Sequence, residues 1–212
     1  MKVSAVIPAY NEELTVAKVV EVCKASSLID EIIVVDDGSK DQTSLLAENA
    51  GARVIRYEEN RGKAYVVLAG AKEAKNEIIL LLDADLTNLN VKHIELLILP
   101  VLQGSVQATI GLFTKGRMKT DLAHTLSPGL SGQRCLHRDF LLKMANIENV
   151  RYAFEICLNN WMKKNQIMIQ KIPLEGVSHL TKEEKRGSRR GFSNRMGMYE
   201  DIMSSLFKKK DP

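Results

Sequence analysis

Cysteine is scarce. The 212 residues hold three, Cys23, Cys135 and Cys157, with no Cys-x-x-Cys spacing. An odd number without that spacing suits a reducing compartment and argues against a disulfide framework. Cys23 and Cys157 fall in apolar helical patterns and are expected to be small core residues. Aromatic residues make up 5% of the chain, which argues against a base-stacking surface and hence against a nucleic-acid partner. No apolar run approaches the length of a membrane span. Strand-like sequence starts directly after Lys2, so no signal peptide is expected. Neither charge dominates. The net charge of +4 fits an anionic ligand and does not require nucleic acid. No repeat, low-complexity stretch or clear linker is visible. Together these absences predict a cytoplasmic protein.

Two nucleotide motifs are also missing. The first strand runs into Pro8-Ala9-Tyr10-Asn11-Glu12-Glu13 and not into a Gly-x-Gly-x-x-Gly turn, and no Gly-x-x-x-x-Gly-Lys-Ser/Thr occurs. A dinucleotide dehydrogenase and a P-loop ATPase are therefore not expected.

What is present alternates strand and helix. Strands are predicted at 3–8, 31–35, 53–57 and 78–82. Helices are predicted at 12–25, 41–50 and 61–75. Asp41 or Ser39 is the expected cap of the second helix, and Gly51 its end. This order implies βαβ units and a mostly parallel sheet flanked by helices. The second half is less regular. A helix at 91–102, despite Pro100, and a strand at 107–113 are expected. A loop at 125–134, helices at 136–144 and 152–164, and a strand at 166–172 follow. A basic loop from Lys182 to Arg195 precedes an amphipathic tail helix from Asn194 to Lys210. One domain is the default at this length.

The most informative segment is Glu77-Ile78-Ile79-Leu80-Leu81-Leu82-Asp83-Ala84-Asp85. Five apolar residues read as a strand buried on both faces. Ligand sites of open α/β sheets lie at the carboxyl ends of such strands. Residues i and i+2 of an extended segment share one side, so Asp83 and Asp85 can face one ion. Two carboxylates there suit a hard divalent cation that also takes phosphate oxygens. A helix cap plus a solvated Asp is the plainer alternative.

Other polar groups end the neighbouring strands: Tyr10-Asn11-Glu12 and Asp36-Asp37-Gly38-Ser39. Carboxylates there can accept from ribose hydroxyls and base N–H groups. Asn60-Arg61-Gly62-Lys63 opens a helix, where cations and backbone N–H groups suit phosphate. Each of these could alternatively be an N-cap or a solvated charge.

Read in order, Val-Ile-Pro-Ala-Tyr-Asn-Glu-Glu, Ile-Ile-Val-Val-Asp-Asp-Gly-Ser-x-Asp-x-Thr, Asn-x-Gly-Lys and Leu-Leu-Leu-Asp-Ala-Asp resemble the motifs of family-2 nucleotide-sugar glycosyltransferases of the GT-A fold. The resemblance covers about residues 2–86 closely. It implies that Pro8, Tyr10 and Glu12 line a nucleoside pocket and that Asp37 reads base or ribose. It places Lys63 near the diphosphate. Asp83 and Asp85 become the metal-linked DxD pair, Asp85 being the expected direct ligand of Mg²⁺ or Mn²⁺. Ser131-Gly132-Gln133-Arg134 is similar to a loop of soluble relatives of dolichyl-phosphate-sugar and glucosyl-phosphoglycerate synthases. There Gly132 allows close approach to the donor, and Arg134 can bind an anionic acceptor. A plain turn before the next helix is the alternative.

Glu155 lies on an otherwise apolar helix face. It is a candidate general base or, if configuration is retained, a group that orients sugar hydroxyls. Pairing with Arg134 or Arg151 is the alternative. By the same resemblance His179, after the last strand, completes the metal site. The basic residues after it read either as a solvated loop or as a segment that a diphosphate orders. The other histidines show no implicating spacing.

The expectation is a single GT-A domain. Residues 1–86 form its nucleotide half, 87–192 its acceptor half, and 193–212 a helix and basic tail. It would move a sugar from a nucleotide-sugar donor, UDP-glucose first and GDP-mannose next, to a small phosphorylated molecule or a lipid phosphate. A nucleotidyltransferase and an inactive nucleotide-sugar-binding scaffold are the rivals. The tail helix could pack on its own domain, on a second subunit as a homodimer, or peripherally on an anionic membrane.

Overall fold

Among the described residues, six of the seven strands of the central sheet point the same way. A computed structural model describes residues 2–114, 131–144 and 154–180. The chain order begins β1 (Val3–Ala9), α1 (Val16–Lys24), β2 (Ile29–Asp36), α2 (Thr43–Ala50), β3 (Arg53–Arg56), α3 (Lys63–Glu73) and β4 (Ile78–Leu81). It continues with β5 (Leu86–Thr87), α4 (Val91–Leu102), β6 (Ala108–Thr114), β7 (Arg134–His137) and α5 (Arg138–Leu142). The last described elements are α6 (Phe154–Lys164), β8 (Ile169–Glu175) and β9 (Ser178–His179). The sheet order is β3-β2-β1-β4-β7-β6-β8. Only β7 runs antiparallel to its neighbours β4 and β6.

Both faces of the sheet are covered at its centre, which is why Ile32 to Val35 and Ile78 to Leu81 are apolar at consecutive positions. Val3, Ala5, Ile7, Ile78, Leu80 and Leu82 face one core with α1 and α4. Val6, Ile33, Val35, Ile79 and Leu81 face the other core, with α3, α5 and α6. The two sets alternate along each strand, as a side-chain period of two demands.

Several boundaries differ from expectation for local reasons. The first helix starts at Val16 because Glu12 to Thr15 forms a turn, with the Thr15 and Val16 N–H groups on the Glu12 carbonyl. Gln42, and neither Asp41 nor Ser39, stands at the N-cap of α2. Asp41 accepts the Thr43 N–H from one residue outside at 3.1 Å. Gly51 closes that helix at φ 105°. The helix expected over 136–144 is replaced at its start by β7, since Arg134 to His137 pairs with Leu81 to Ile78. A four-residue strand running directly into a helix carries too few residues to show a period of two. Gln166, at φ 53°, ends the turn after α6, so β8 begins at Ile169 and not at 166. The two-stranded sheet of β5 and β9 was not anticipated. Among the described residues no helix is long and apolar enough to cross a membrane. The basic loop and the tail helix lie outside the described residues.

Candidate active site

The parallel strands bring their carboxyl ends to one rim. The chain leaves β4 at Leu82, which is fully buried, and turns through Asp83-Ala84-Asp85 into β5. There β5 pairs with β9, Leu86 opposite His179 and Thr87 opposite Ser178. The Leu180 N–H donates to the Asp85 carbonyl at 2.9 Å. The Thr87 and Ser178 hydroxyls lie 2.7 Å apart and tie the same ladder. This small sheet carries His179 across 94 residues to Asp85, with Nδ1 2.7 Å from Oδ1. The Phe113 ring stands edge-on to the imidazole at 4.9 Å and limits its rotation. One ligand atom each from Asp83, Asp85 and His179 lies within 4.8 Å of the others. Two carboxylates and an imidazole are a donor set that a Mg²⁺- or Mn²⁺-like ion accepts, leaving positions for water and phosphate oxygens.

Among the described residues the ammonium that meets the carboxylates of the site is that of Lys63, the first residue of α3. Its Nζ lies 2.6 Å from Asp83 Oδ1 and 2.6 Å from Glu155 Oε1. Burial disfavours the Lys63 charge, but the two carboxylates outweigh it and raise the pKa above the ordinary lysine value. Burial likewise opposes ionisation of Asp83. The Lys63 charge, the His179 charge and hydrogen bonds from Lys63 and Gln133 win, lowering it to about 2. For His179 burial lowers the pKa. The hydrogen bond to Asp85 and the charges of Asp85 and Asp83 overcome it, so the net direction is up.

Glu155 thus has Lys63 as partner, a pairing not expected from the sequence. Arg134, expected to meet an acceptor, is 1% exposed. Its Nε donates to the Ser131 carbonyl at 2.9 Å and its NH1 to Asn159 at 2.7 Å. Burial lowers its pKa to about 10, against the pull of Glu155 and Asp83. It braces the loop from behind. Gly132 does lie against the site: a Cβ there would sit 2.5 and 2.6 Å from the Asp83 oxygens.

Asp37 is buried at the end of β2 and accepts the Arg61 N–H at 2.6 Å and the Gly62 N–H at 2.9 Å. It thereby holds the start of α3, where Lys63 sits. The Arg61 guanidinium stacks over the Tyr65 ring at 5.3 Å, so Lys63 alone of this pair reaches the carboxylates. Pro8 is half-buried near the end of β1, and Tyr10 is exposed beyond it. The Glu12 N–H donates to Thr43 Oγ1 at 2.8 Å, and the Asn11 N–H to Ser39 Oγ at 2.9 Å. These bonds join the first two strand-end loops into one wall.

Sequence reasoning passed over Gln133, whose Nε2 donates to Asp83 Oδ2 at 2.7 Å, and its partner Ser131. Both stand inside the Ser-Gly-Gln-Arg run, so the run itself was the available signal.

A model of glycosyl transferase family 2 matches residues 4–169. A glucosyl-3-phosphoglycerate synthase of Mycolicibacterium smegmatis is 38% identical over 109 residues, 47% of this chain and 36% of that protein. An undecaprenyl-phosphate 4-deoxy-4-formamido-L-arabinose transferase of Pseudomonas paraeruginosa is 36% identical over 96 residues, 41% of this chain and 28% of its own length. The matched part is therefore about a third of these relatives. Crystal structures of glucosyl-3-phosphoglycerate synthase from Mycobacterium tuberculosis share the fold. The complex with Mn²⁺ and UDP-glucose superposes with a TM-score of 0.78 at 25% identity, covering 97% of this chain and 77% of that one. The complex with Mn²⁺, UDP and glucosyl-3-phosphoglycerate gives 0.77 at 24% identity, covering 97% and 78%.

Proposed function

The chain belongs to glycosyl transferase family 2, and from that premise we propose that it moves a sugar from a nucleoside diphosphate donor to an acceptor in a reaction that needs Mg²⁺ or Mn²⁺. The observation that carries the reading is the convergence of Asp83, Asp85 and His179 within 4.8 Å at the strand ends. UDP-glucose is the first donor choice, supported by the nucleotide-sugar bound in the structural neighbour. The proposed acceptor carries a phosphate. The named acceptor groups of the two curated relatives, phosphoglycerate and undecaprenyl phosphate, share that chemistry.

Asp85 and His179 would hold the cation directly, with Asp83 beside them. When bound, the ion would act as a Lewis acid on the diphosphate and stabilise charge on the leaving oxygen. The protein's own groups do the rest. Lys63 adds a positive charge next to the same oxygens. Asp37, at the end of β2, would accept from base or ribose. Pro8, Tyr10 and Glu12 form the adjoining wall. Glu155 would take the acceptor proton or orient sugar hydroxyls. In this division residues 1–86 bind nucleotide, and the part from 87 onward contributes His179 and Glu155.

Calorimetry with UDP-glucose, GDP-mannose and free UDP, with and without Mn²⁺, tests the donor. Transfer assays with 3-phosphoglycerate and with undecaprenyl phosphate then separate the acceptor classes. Asp85→Asn should abolish metal-dependent donor binding while the fold survives. Equal binding of UDP by variant and parent in Mn²⁺ would sink the metal assignment, and donor binding without transfer to any acceptor would favour a scaffold.

A further inference from the structure

We propose that Gln133 is a positioning residue for Asp83: its side-chain amide, oriented by Ser131, holds one carboxylate oxygen so that the other faces Lys63 and the cation side. The inference rests on the cation-dependent reading above.

Gln133 is fully buried, and Ser131 nearly so. Asp83 uses both oxygens in fixed bonds: Oδ2 accepts from Gln133 Nε2 at 2.7 Å and Oδ1 from Lys63 Nζ at 2.6 Å. Gripped at both ends, the carboxylate cannot rotate. An amide is nearly symmetric in shape, so its hydrogen-bond partners decide which end points where. An ionised carboxylate only accepts, so the nitrogen end must face Asp83. The oxygen end then requires a donor, and the Ser131 hydroxyl supplies it at 2.7 Å.

Ser131 is itself held. Arg134 Nε donates to its carbonyl at 2.9 Å, and the other end of that guanidinium is anchored on Asn159 of α6 at 2.7 Å. The Gln133 carbonyl accepts the Gly111 N–H of β6 at 2.8 Å. The bracket therefore runs from two packed elements through Ser131 and Gln133 to Asp83. Gly132 makes room for it, since a side chain there would strike both Asp83 oxygens. Outer partners that orient metal-site carboxylates typically set affinity by about 10–100-fold.

The test uses the full chain. Free Mn²⁺ is titrated by electron paramagnetic resonance in the presence of UDP, for the parent, Gln133→Met, Ser131→Ala and Ser131→Thr. Gln133→Met should lose about 10–100-fold in Mn²⁺ affinity. Ser131→Ala should lose less in the same direction, and Ser131→Thr, which keeps the hydroxyl, should recover the parent value. UDP affinity in a chelator should stay the same throughout. A folded Gln133→Met that binds Mn²⁺ within about twofold of the parent overturns the proposal. If that variant does not fold, equal affinities for Ser131→Ala and Ser131→Thr overturn it. A second arm needs no metal. The Gln133 side-chain amide protons should resist solvent exchange in the parent and lose that protection in Asp83→Ala; unprotected protons in the parent count against the bond. Failure of the parent to bind Mn²⁺ at all would remove the cation-dependent reading, and the amide arm would still judge the Gln133–Asp83 contact.

Discussion

Lys63 Nζ sits 2.6 Å from Glu155 Oε1, although the two residues are 92 positions apart in the chain. The same ammonium touches Asp83, so one cation ties α3 and the end of β4 to α6. It stands between two carboxylates and offsets their mutual repulsion across the site.

Lys63→Met should therefore unfold more easily in metal-free buffer. Breaking a buried pair costs about 3–5 kcal/mol and an exposed pair about 0–1. These side chains are 31%, 17% and 15% exposed, so a loss of about 1–3 kcal/mol is expected. Urea melts with and without Mn²⁺ check it, and Mn²⁺ should stabilise the variant more than the parent. Unchanged metal-free stability would mean that the ion pairs contribute nothing to folding.

The elevated pKa of His179 sets a pH dependence. A ligating imidazole must be neutral, so protons compete with the metal. Mn²⁺ affinity should climb as pH rises above the ordinary histidine value of 6.5 and through the raised one. His179→Ala should bind weakly and without that climb. Folding runs the other way. A raised pKa gives stability that is complete below 6.5 and is lost as pH rises through the folded value. Metal-free melts of parent and His179→Ala should converge at the alkaline end, and a gap that widens there would reverse the sign.

Asp37→Ala should weaken UDP and UDP-glucose by the same factor, on the order of tenfold, because hydrogen bonds to a charged group contribute about 1.5–3 kcal/mol. The carboxylate pins the Arg61 and Gly62 N–H groups and so the entry to α3. Calorimetry with both ligands reads the factor. Intact UDP affinity with lost transfer at saturating donor would move Asp37 into the chemical step.

Gly70→Ala separates helix propensity from packing. In an exposed helix interior the change gains about 1 kcal/mol. Here a Cβ would lie 2.5 Å from Val6 Cγ1 and 3.0 Å from Val35 Cγ2, where α3 crosses β1 and β2. Overpacking should win, with a net loss of about 1–3 kcal/mol in denaturant melts. A gain in stability would show that α3 can lift from the sheet.

Local pattern carried the first half of this protein. Ala5 to Ala9 and Ile78 to Leu81 are apolar at consecutive positions because both sheet faces are covered, and that signal survives without neighbours. Asp83 and Asp85 were legible for the same reason: a buried strand that stops in two carboxylates announces a site. His179 was named from resemblance, but nothing local distinguishes it, and its place depends on the two-residue ladder of β5 and β9. Glu155 was visible as a polar residue on an apolar face, but its bond to Lys63 was not anticipated, and Arg151, one of the two expected partners, lies outside the described residues. Arg134 and Arg151 are its near candidates along the chain and in composition, whereas Lys63 reaches it through the packing of α6 on the sheet face that α3 also covers.

Residue chemistry and spacing set out the fold class and the rim of strand ends and singled out the acidic pair as a candidate, since these follow from periodicities of two to four residues. Folding alone settled the partners. Which oxygen of Asp83 meets Lys63 and which meets Gln133, and that Arg134 turns inward to Ser131 and Asn159, depend on contacts between elements far apart in sequence. Such contacts follow from burying two faces of one sheet at once, and no local window of the chain contains both sides of that constraint.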